Sequence, residues 1–164
     1  MLKTILVILL VGFEAWTYQA IQPPPPKVCG TPGGPPIITP TIQLKDGRHL
    51  AYKEYGVSKD EAKYKIMFVH GFYSCRHDVP FLSKEFAEEL HIYLVSFDRV
   101  GYGESDPNPK RTVKSTALDI EELADQFDLG SKFYVVGYSM GGQAAWACLK
   151  YIPHWYVVPK LFHS

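Results

Sequence analysis

The sequence predicts an α/β fold, an antiparallel N-terminal hairpin leading into a mainly parallel sheet flanked by helices. Three observations predict it. Short β-branched and aromatic runs at Lys65–Val69, Ile92–Phe97 and Phe133–Val136 are apolar nearly throughout, as strands covered on both faces are. Stretches of helical period separate them. Upstream, Thr41 to Tyr55 alternates around Asp46-Gly47, as hairpins do. Strand–helix alternation after a hairpin makes the later strands parallel, joined by right-handed crossovers.

Residues 1–21 open with Lys3 and the apolar run Thr4–Phe13, which has the length of a signal-peptide core. From Leu2 to Ile21 only Lys3 and Glu14 are charged, and Trp16 and Tyr18 stand where interfacial anchors stand. A signal anchor or uncleaved signal is expected ahead of a peptide cleaved after Ala20, because Tyr18 is not small; a buried soluble helix comes behind both. The expected location is therefore membrane-anchored or in the secretory pathway rather than cytoplasmic. Residues 22–40 carry Pro23 to Pro26, Pro32, Pro35, Pro36 and Pro40 with Gly33 and Gly34, and read as an extended, polyproline-like linker. A proline-motif ligand for a partner domain is the alternative there.

From Thr41 the globular part begins. Thr41–Lys45 and Arg48–Tyr55 are expected to pair across a two-residue turn, with Leu50 and Tyr52 on one face. Leu82, Phe86 and Leu90 mark the apolar stripe of a helix. Val113, Ala117, Ile120, Ala124 and Phe127 step by four and three, predicting a second helix that ends before Gly130. Gln143 to Lys150 is Ala-rich and helix-favouring.

Lys plus Arg and Asp plus Glu each number 17, so the formal net charge is zero and nucleic acid is not indicated as a partner. Cys29, Cys75 and Cys148 lie singly, which suggests neither a zinc site nor a disulfide framework. The group His70, Cys75, His77 and Asp78 fits no standard metal spacing. Gly101 and Gly103 lack the third glycine of a dinucleotide-binding loop. No metal and no cofactor is expected.

In such a sheet, sites form at the carboxyl ends of the strands. The stretch Phe133–Lys150, FYVVGYSMGGQAAWACLK, reads as strand, abrupt turn and helix, a nucleophile elbow with Ser139 as the candidate nucleophile. Gly137 and Gly141, two residues to either side, remove side chains that would crowd the turn. Met140 follows the serine and offers its backbone N–H at a helix start. In the turn after Val69, Gly71 lets the backbone approach a substrate and Phe72 offers a second N–H, while His70 is expected to order the turn. After Phe97, Gly101 and Gly103 shape a tight loop, with Asp98 and Arg99 expected as a local structural pair.

HGF after one strand, FDRVGYGESDPNP after the next and VVGYSMGG at the elbow, in that order, resemble the α/β-hydrolase fold superfamily of serine hydrolases. DGRHLAYKEYGVSK, GFYSCRHD and CLKYIPH, with the Pro-rich segment before them, are similar to plant members that carry an N-terminal hydrophobic segment. The resemblance runs from Gln22 to His154. It implies hydrolysis of an ester or acyl bond in a small-molecule substrate, with Ser139 as nucleophile and Phe72 and Met140 as oxyanion donors. Serine at the elbow disfavours epoxide hydrolases and dehalogenases, which use Asp there.

Departures from the pattern matter as much. Residues 41–154 correspond to the N-terminal part of such a domain, an incomplete α/β-hydrolase fold, and 155–164 reads as a tail outside the family. Family members place an acid and then a His after the serine. Here no Asp or Glu follows Asp128, and only His154 and His163 follow Ser139. A missing triad member costs on the order of 10⁴ in rate. The expectation is a shortened family member with little turnover and an open apolar sheet edge beyond Phe133–Val136. The alternatives are a membrane-tethered, non-catalytic module that binds a partner through that edge, or a non-functional truncated product.

Overall fold

The computed structural model describes residues 2–22, 27–80, 82–153 and the backbone of 156–162. Pro23 to Pro26, His154 and His163 lie outside the described residues.

A six-stranded sheet of order β1-β2-β4-β3-β5-β6 forms from β1 (Thr41–Gln43), β2 (His49–Gly56), β3 (Tyr64–Val69), β4 (Ile92–Phe97), β5 (Lys132–Tyr138) and β6 (Tyr156–Phe162). β1–β2 and β2–β4 are antiparallel; β4–β3, β3–β5 and β5–β6 are parallel. The predicted mixed architecture is thus observed. Parallel neighbours need crossover connections, and helices α2 (Lys84–Glu89), α3 (Val113–Gln126) and α4 (Gly142–Tyr151) lie in them.

Because side chains alternate along a strand, the apolar runs supply two cores at once. Met67, Val69, Tyr93, Val95, Phe97, Phe133 and Val135 pack on the face covered by α3 and α4, with Ile120, Leu123, Ala145 and Cys148. Phe68, Leu94 and Val136 face the smaller cluster containing Ala87 of α2. All six residues of β4 are buried, as expected for a central strand with both faces covered. α3 begins where its periodicity does: Thr112 accepts from the Ser115 N–H at 3.0 Å and Ser115 Oγ accepts from the Thr112 N–H at 2.9 Å, closing a reciprocal cap.

Four expectations are corrected. The hairpin turn is not a two-residue one: Gly47 N–H donates to the Leu44 carbonyl and Leu44 N–H to the Arg48 carbonyl, with Gly47 at φ +89°, a three-residue loop ending on a left-handed glycine. The stripe Leu82, Phe86, Leu90 is buried only in part: Leu82 packs against the smaller core cluster, but Phe86 and Leu90 are exposed and the buried residue of the helix is Ala87. With only six residues, α2 rests on the sheet through one small side chain.

The described part of the 22–40 segment is no extended spacer. Gly34 N–H donates to Thr31 O and Gly30 N–H to Pro35 O, so the chain folds back at its glycines, two of them at positive φ. Lastly, the edge beyond β5 is not open. β6 pairs with β5 from Lys132↔Tyr156 to Tyr138↔Phe162. Its Tyr-Val-Val start favours strand, and as an edge strand it tolerates Pro159.

Before this body stands α1 (Leu2–Ile21), 20 residues of mean hydropathy 1.6 with no buried residue. By length and composition it is able to cross a membrane.

Candidate active site

Three turns meet at the carboxyl ends of β3, β4 and β5. At the end of β5, Ser139 has φ +50°, in the left-handed region that side chains avoid, and a single 3₁₀ turn leads straight into α4. Such a backbone costs about 1–2 kcal/mol and persists only where the surroundings impose it. Here they do. A Cβ on Gly141 would lie 2.0 Å from the Val69 carbonyl oxygen, and one on Gly137 would lie 2.5 Å from the Gly141 oxygen. Two backbones touch on each side of the serine where side chains would hold them apart. Ser139 and Met140 are exposed at the start of the helix, where unpaired N–H groups and the positive dipole end lie.

The turn after β3 comes against the elbow. A Cβ on Gly71 would stand 3.1 Å from Ser139 Cβ, so the loop backbone passes the serine at contact distance. His70 is fully buried behind it. Its Nε2 accepts from the Arg99 N–H at 3.0 Å, which assigns the proton to Nδ1, and Nδ1 donates to the Gly71 carbonyl at 2.9 Å. Burial pushes the His70 pKa below its ordinary value, so this tautomer is neutral. His70 therefore orders the turn, as its sequence position suggested, with both ring nitrogens occupied. Arg99 Nη2 donates to the same Gly71 oxygen at 2.9 Å. In a planar trans peptide C=O and N–H point in opposite directions. With the Gly71 carbonyl held inward by two donors, the Phe72 N–H points out of the His70–Arg99 cluster.

In the turn after β4, the expected Asp98–Arg99 pair does not form. Successive residues leaving a strand point to opposite sides. Fully buried Asp98 instead accepts from the Arg76 N–H at 2.7 Å, from the Arg76 guanidinium, and from the Glu104 N–H at 3.2 Å. Arg99 turns the other way and lies over the Tyr102 ring, 4.4 Å from its centroid. Gly101 and Gly103 have positive φ, and a Cβ on Gly103 would lie 2.0 Å from Asp98 Oδ2; the loop wraps closely around the carboxylate. Glu104 extends the network, accepting from Ile38 and Thr39 N–H, each at 3.2 Å, and meeting Arg76 at 3.4 Å.

Arg76 and Glu104 were not singled out from sequence. The available signal was the buried position of Asp98 at a strand end, which demands a cationic partner without naming one. The group His70, Cys75, His77 and Asp78 does not converge: Asp78 Oδ2 takes Ser74 Oγ and Cys75 N–H, and His77 Nδ1 lies 3.4 Å from Lys53 Nζ. Among the described residues, no three His, Cys, Asp or Glu side chains gather to hold a metal. Next to the elbow, Arg99, Val100, Arg111, Thr112, Met140 and Gln143 help to wall a cavity of about 320 Å³.

Comparison with known proteins adds what geometry cannot. A family model described as the alpha/beta hydrolase family matches residues 66–162, which takes in β6 and all three turns. The chain belongs to that family. A curated relative from Bacillus subtilis (strain 168), provisionally named 2-succinyl-6-hydroxy-2,4-cyclohexadiene-1-carboxylate synthase, is 30% identical over 111 residues, 66% of this chain and 38% of the relative. Among solved structures, an esterase from Exiguobacterium antarcticum superposes with TM-score 0.60 at 24% identity over 76% of this chain and 44% of its own. Est816, described as an N-acyl homoserine lactone degrading enzyme, gives TM-score 0.61 at 24% identity over 74% of this chain and 44% of its own. These two likenesses concern the fold. The chain thus spans less than half the length of these alpha/beta hydrolase relatives.

Proposed function

We propose that this chain carries the nucleophile of a serine hydrolase acting on carboxylic esters or related acyl bonds. Ser139 Oγ is the nucleophile, and the N–H groups of Met140 and Phe72 are the donors for the oxyanion. The observation that carries the reading is the left-handed Ser139 at the β5–α4 junction with the Gly71 loop in contact with it. In the reaction, Oγ bonds to the acyl carbon while its proton passes to a base, the carbonyl oxygen takes the charge between the two N–H groups, and the alcohol leaves with a proton. Water then releases the acid. The family neighbour named as an esterase acts on the same bond type.

His70 is not that base, because both its nitrogens are engaged inside the fold. A serine without an oriented base and its acid turns over on the order of 10⁴-fold below a complete triad. The rival reading, partner binding through an open edge at β5, would have to use the outer edge of β6 instead, because β6 is paired with β5 there. We further assign α1 as a membrane anchor or signal on its length, apolarity and exposure; alkaline carbonate extraction of membranes from expressing cells should leave the chain in the pellet if it is an anchor.

A fluorophosphonate probe tests the nucleophile. Labelling of the full chain, abolished in Ser139→Ala, is the expected result. A folded chain that takes no label over hours, or one whose label survives S139A, overturns the assignment.

A further inference from the structure

The cavity beside the elbow has an uneven charge. Asp119 is the acidic side chain on its wall, and Arg48 already holds that carboxylate at two points, Nη2–Oδ1 2.6 Å and Nη1–Oδ2 3.3 Å. Arg99 and Arg111 also line the cavity, and among the described residues neither is paired with a carboxylate. Arg99 gives Nη2 to the Gly71 carbonyl, while its buried Nε has no hydrogen-bond partner. Arg111, on the rim, donates one Nη to the Val100 carbonyl at 3.2 Å. Burial lowers the Arg99 pKa, Tyr102 opposes that, and the positive charge of Arg111 adds to it, so the two guanidiniums feel each other.

Like charges held together around a void, with a buried donor unused, are costly unless an anion joins them. Guanidinium forks match the paired oxygens of carboxylates and phosphates. Thr112 and Gln143 add neutral polar groups to the wall, and Phe97, Val100 and Met140 supply apolar ones. Met140 belongs both to this wall and to the elbow, so a molecule filling the cavity reaches the residue next to Ser139.

We propose that the cavity binds the anionic end of the substrate, a carboxylate or phosphate held between Arg99 and Arg111, so that a small ester or acyl compound of that kind presents its acyl carbon at Ser139. The second half of this statement rests on the nucleophile reading; the anion site itself does not.

Titrating the full chain in detergent micelles with succinate, with inorganic phosphate and with neutral succinamide tests it, by calorimetry or by NMR shifts. Saturable binding of at least one anion is expected, weakening as salt is added, with succinamide bound at least ~10-fold more weakly. The better-bound anion identifies the group. Arg111→Gln should weaken binding by ~10-fold or more, and Arg111→Lys by less, because it keeps the charge but not the fork. Arg111 is exposed and makes one loop contact, so both variants should melt like the parent. No saturable anion binding, equal binding of succinamide, or an R111Q variant that binds like the parent overturns the proposal. Fluorophosphonate labelling of the same samples separates the two readings: anion binding without labelling leaves the site standing and removes the nucleophile, and labelling without anion binding does the reverse.

Discussion

Replacing Asp98 by Asn changes one heavy atom at the most enclosed ion pair among the described residues. Asp98 has no exposed surface, and the Arg76 side chain is 8% exposed. The carboxylate satisfies three donors, the Arg76 N–H, the Arg76 guanidinium and the Glu104 N–H. Asparagine of the same shape keeps one acceptor oxygen and turns a second donor towards groups that can only donate. Arg76 is then left buried, with Glu104 at 3.4 Å as its remaining carboxylate. Breaking a buried pair in this way costs about 3–5 kcal/mol. Glu104 offsets part of it, so we take the lower end, about 3 kcal/mol. For a chain of this length, each kcal/mol moves the midpoint by about 2–4 °C, so D98N should melt about 10 °C below the parent. Thermal melts by near-UV circular dichroism, all in the same micelle, measure it. Arg76→Met and the double variant complete a cycle. The double should be more stable than D98N alone, with a coupling of roughly 2 kcal/mol, because the stranded charge has gone. A D98N midpoint within about 2 °C of the parent, or strictly additive single effects, would refute this account of the loop.

Gly141→Ala should cost upwards of about 3 kcal/mol or yield no soluble folded chain, since its Cβ would meet the Val69 and His70 carbonyl oxygens at 2.0 and 2.8 Å and no rotamer relieves a Cβ clash; a normal chemical-denaturation midpoint would argue against the close approach. Ser139→Gly should be more stable than Ser139→Ala by about 1 kcal/mol, because glycine alone sheds the left-handed strain; equal melting temperatures would count against strain at the elbow. His70 has a lowered pKa in the fold, so below pH ~6.5 the unfolded chain takes up its proton first and stability falls with pH, by at most ~1.4 kcal/mol per unit until the folded value is reached. Its stabilising share is full above the unfolded value. Urea midpoints from pH 7.5 to 5 should fall more steeply in the parent than in His70→Gln, and parallel profiles would dismiss His70 as the cause, leaving Asp78, whose pKa is also lowered, and other carboxylates.

What the sequence made legible was whatever local pattern alone decides. The runs that became β3, β4 and β5 are apolar because both faces of the sheet are covered, and the stepping from Val113 to Phe127 is that of a helix with one buried side. G-x-S-x-G was readable for the same reason, since its glycines answer contacts within five residues and at the neighbouring strand end. Pairing at a distance was not legible. Adjacency suggested Arg99 for Asp98, yet the partner is Arg76, 22 residues earlier, because the two strand ends lie side by side. Neither was β6: the run YVVPKLF mixes strand formers with Pro and Lys, and only the unpaired edge of β5 selects it as a strand. The turns of the Pro-rich segment were hidden too, since the prolines spoke for extension while Gly30 and Gly34 closed the loop.

The elbow is rigid for a reason that side-chain chemistry does not supply. Three backbone approaches converge on Ser139: Gly137 against Gly141, Gly141 against the end of β3, and Gly71 against the serine itself. The first is local to the strand–turn–helix; the other two are available because β3 and β5 are parallel neighbours in register from Ile66↔Tyr134 to Val69↔Gly137, which brings both strand ends to one level. The strain of one left-handed serine, about 1–2 kcal/mol, is small beside the burial of Val69, Val135, Ala144 and Ala145 that fixes this register. The loop after β4 then sets the outer wall. Arg99 holds the Gly71 carbonyl inward while Asp98, its chain neighbour, binds Arg76 on the other side, so one turn orients the peptide beside Ser139 and locks the segment that follows that peptide. Loosening the Asp98–Arg76 pair should therefore be felt at Phe72 before it is felt at Ser139, whose geometry is held from beneath by the sheet.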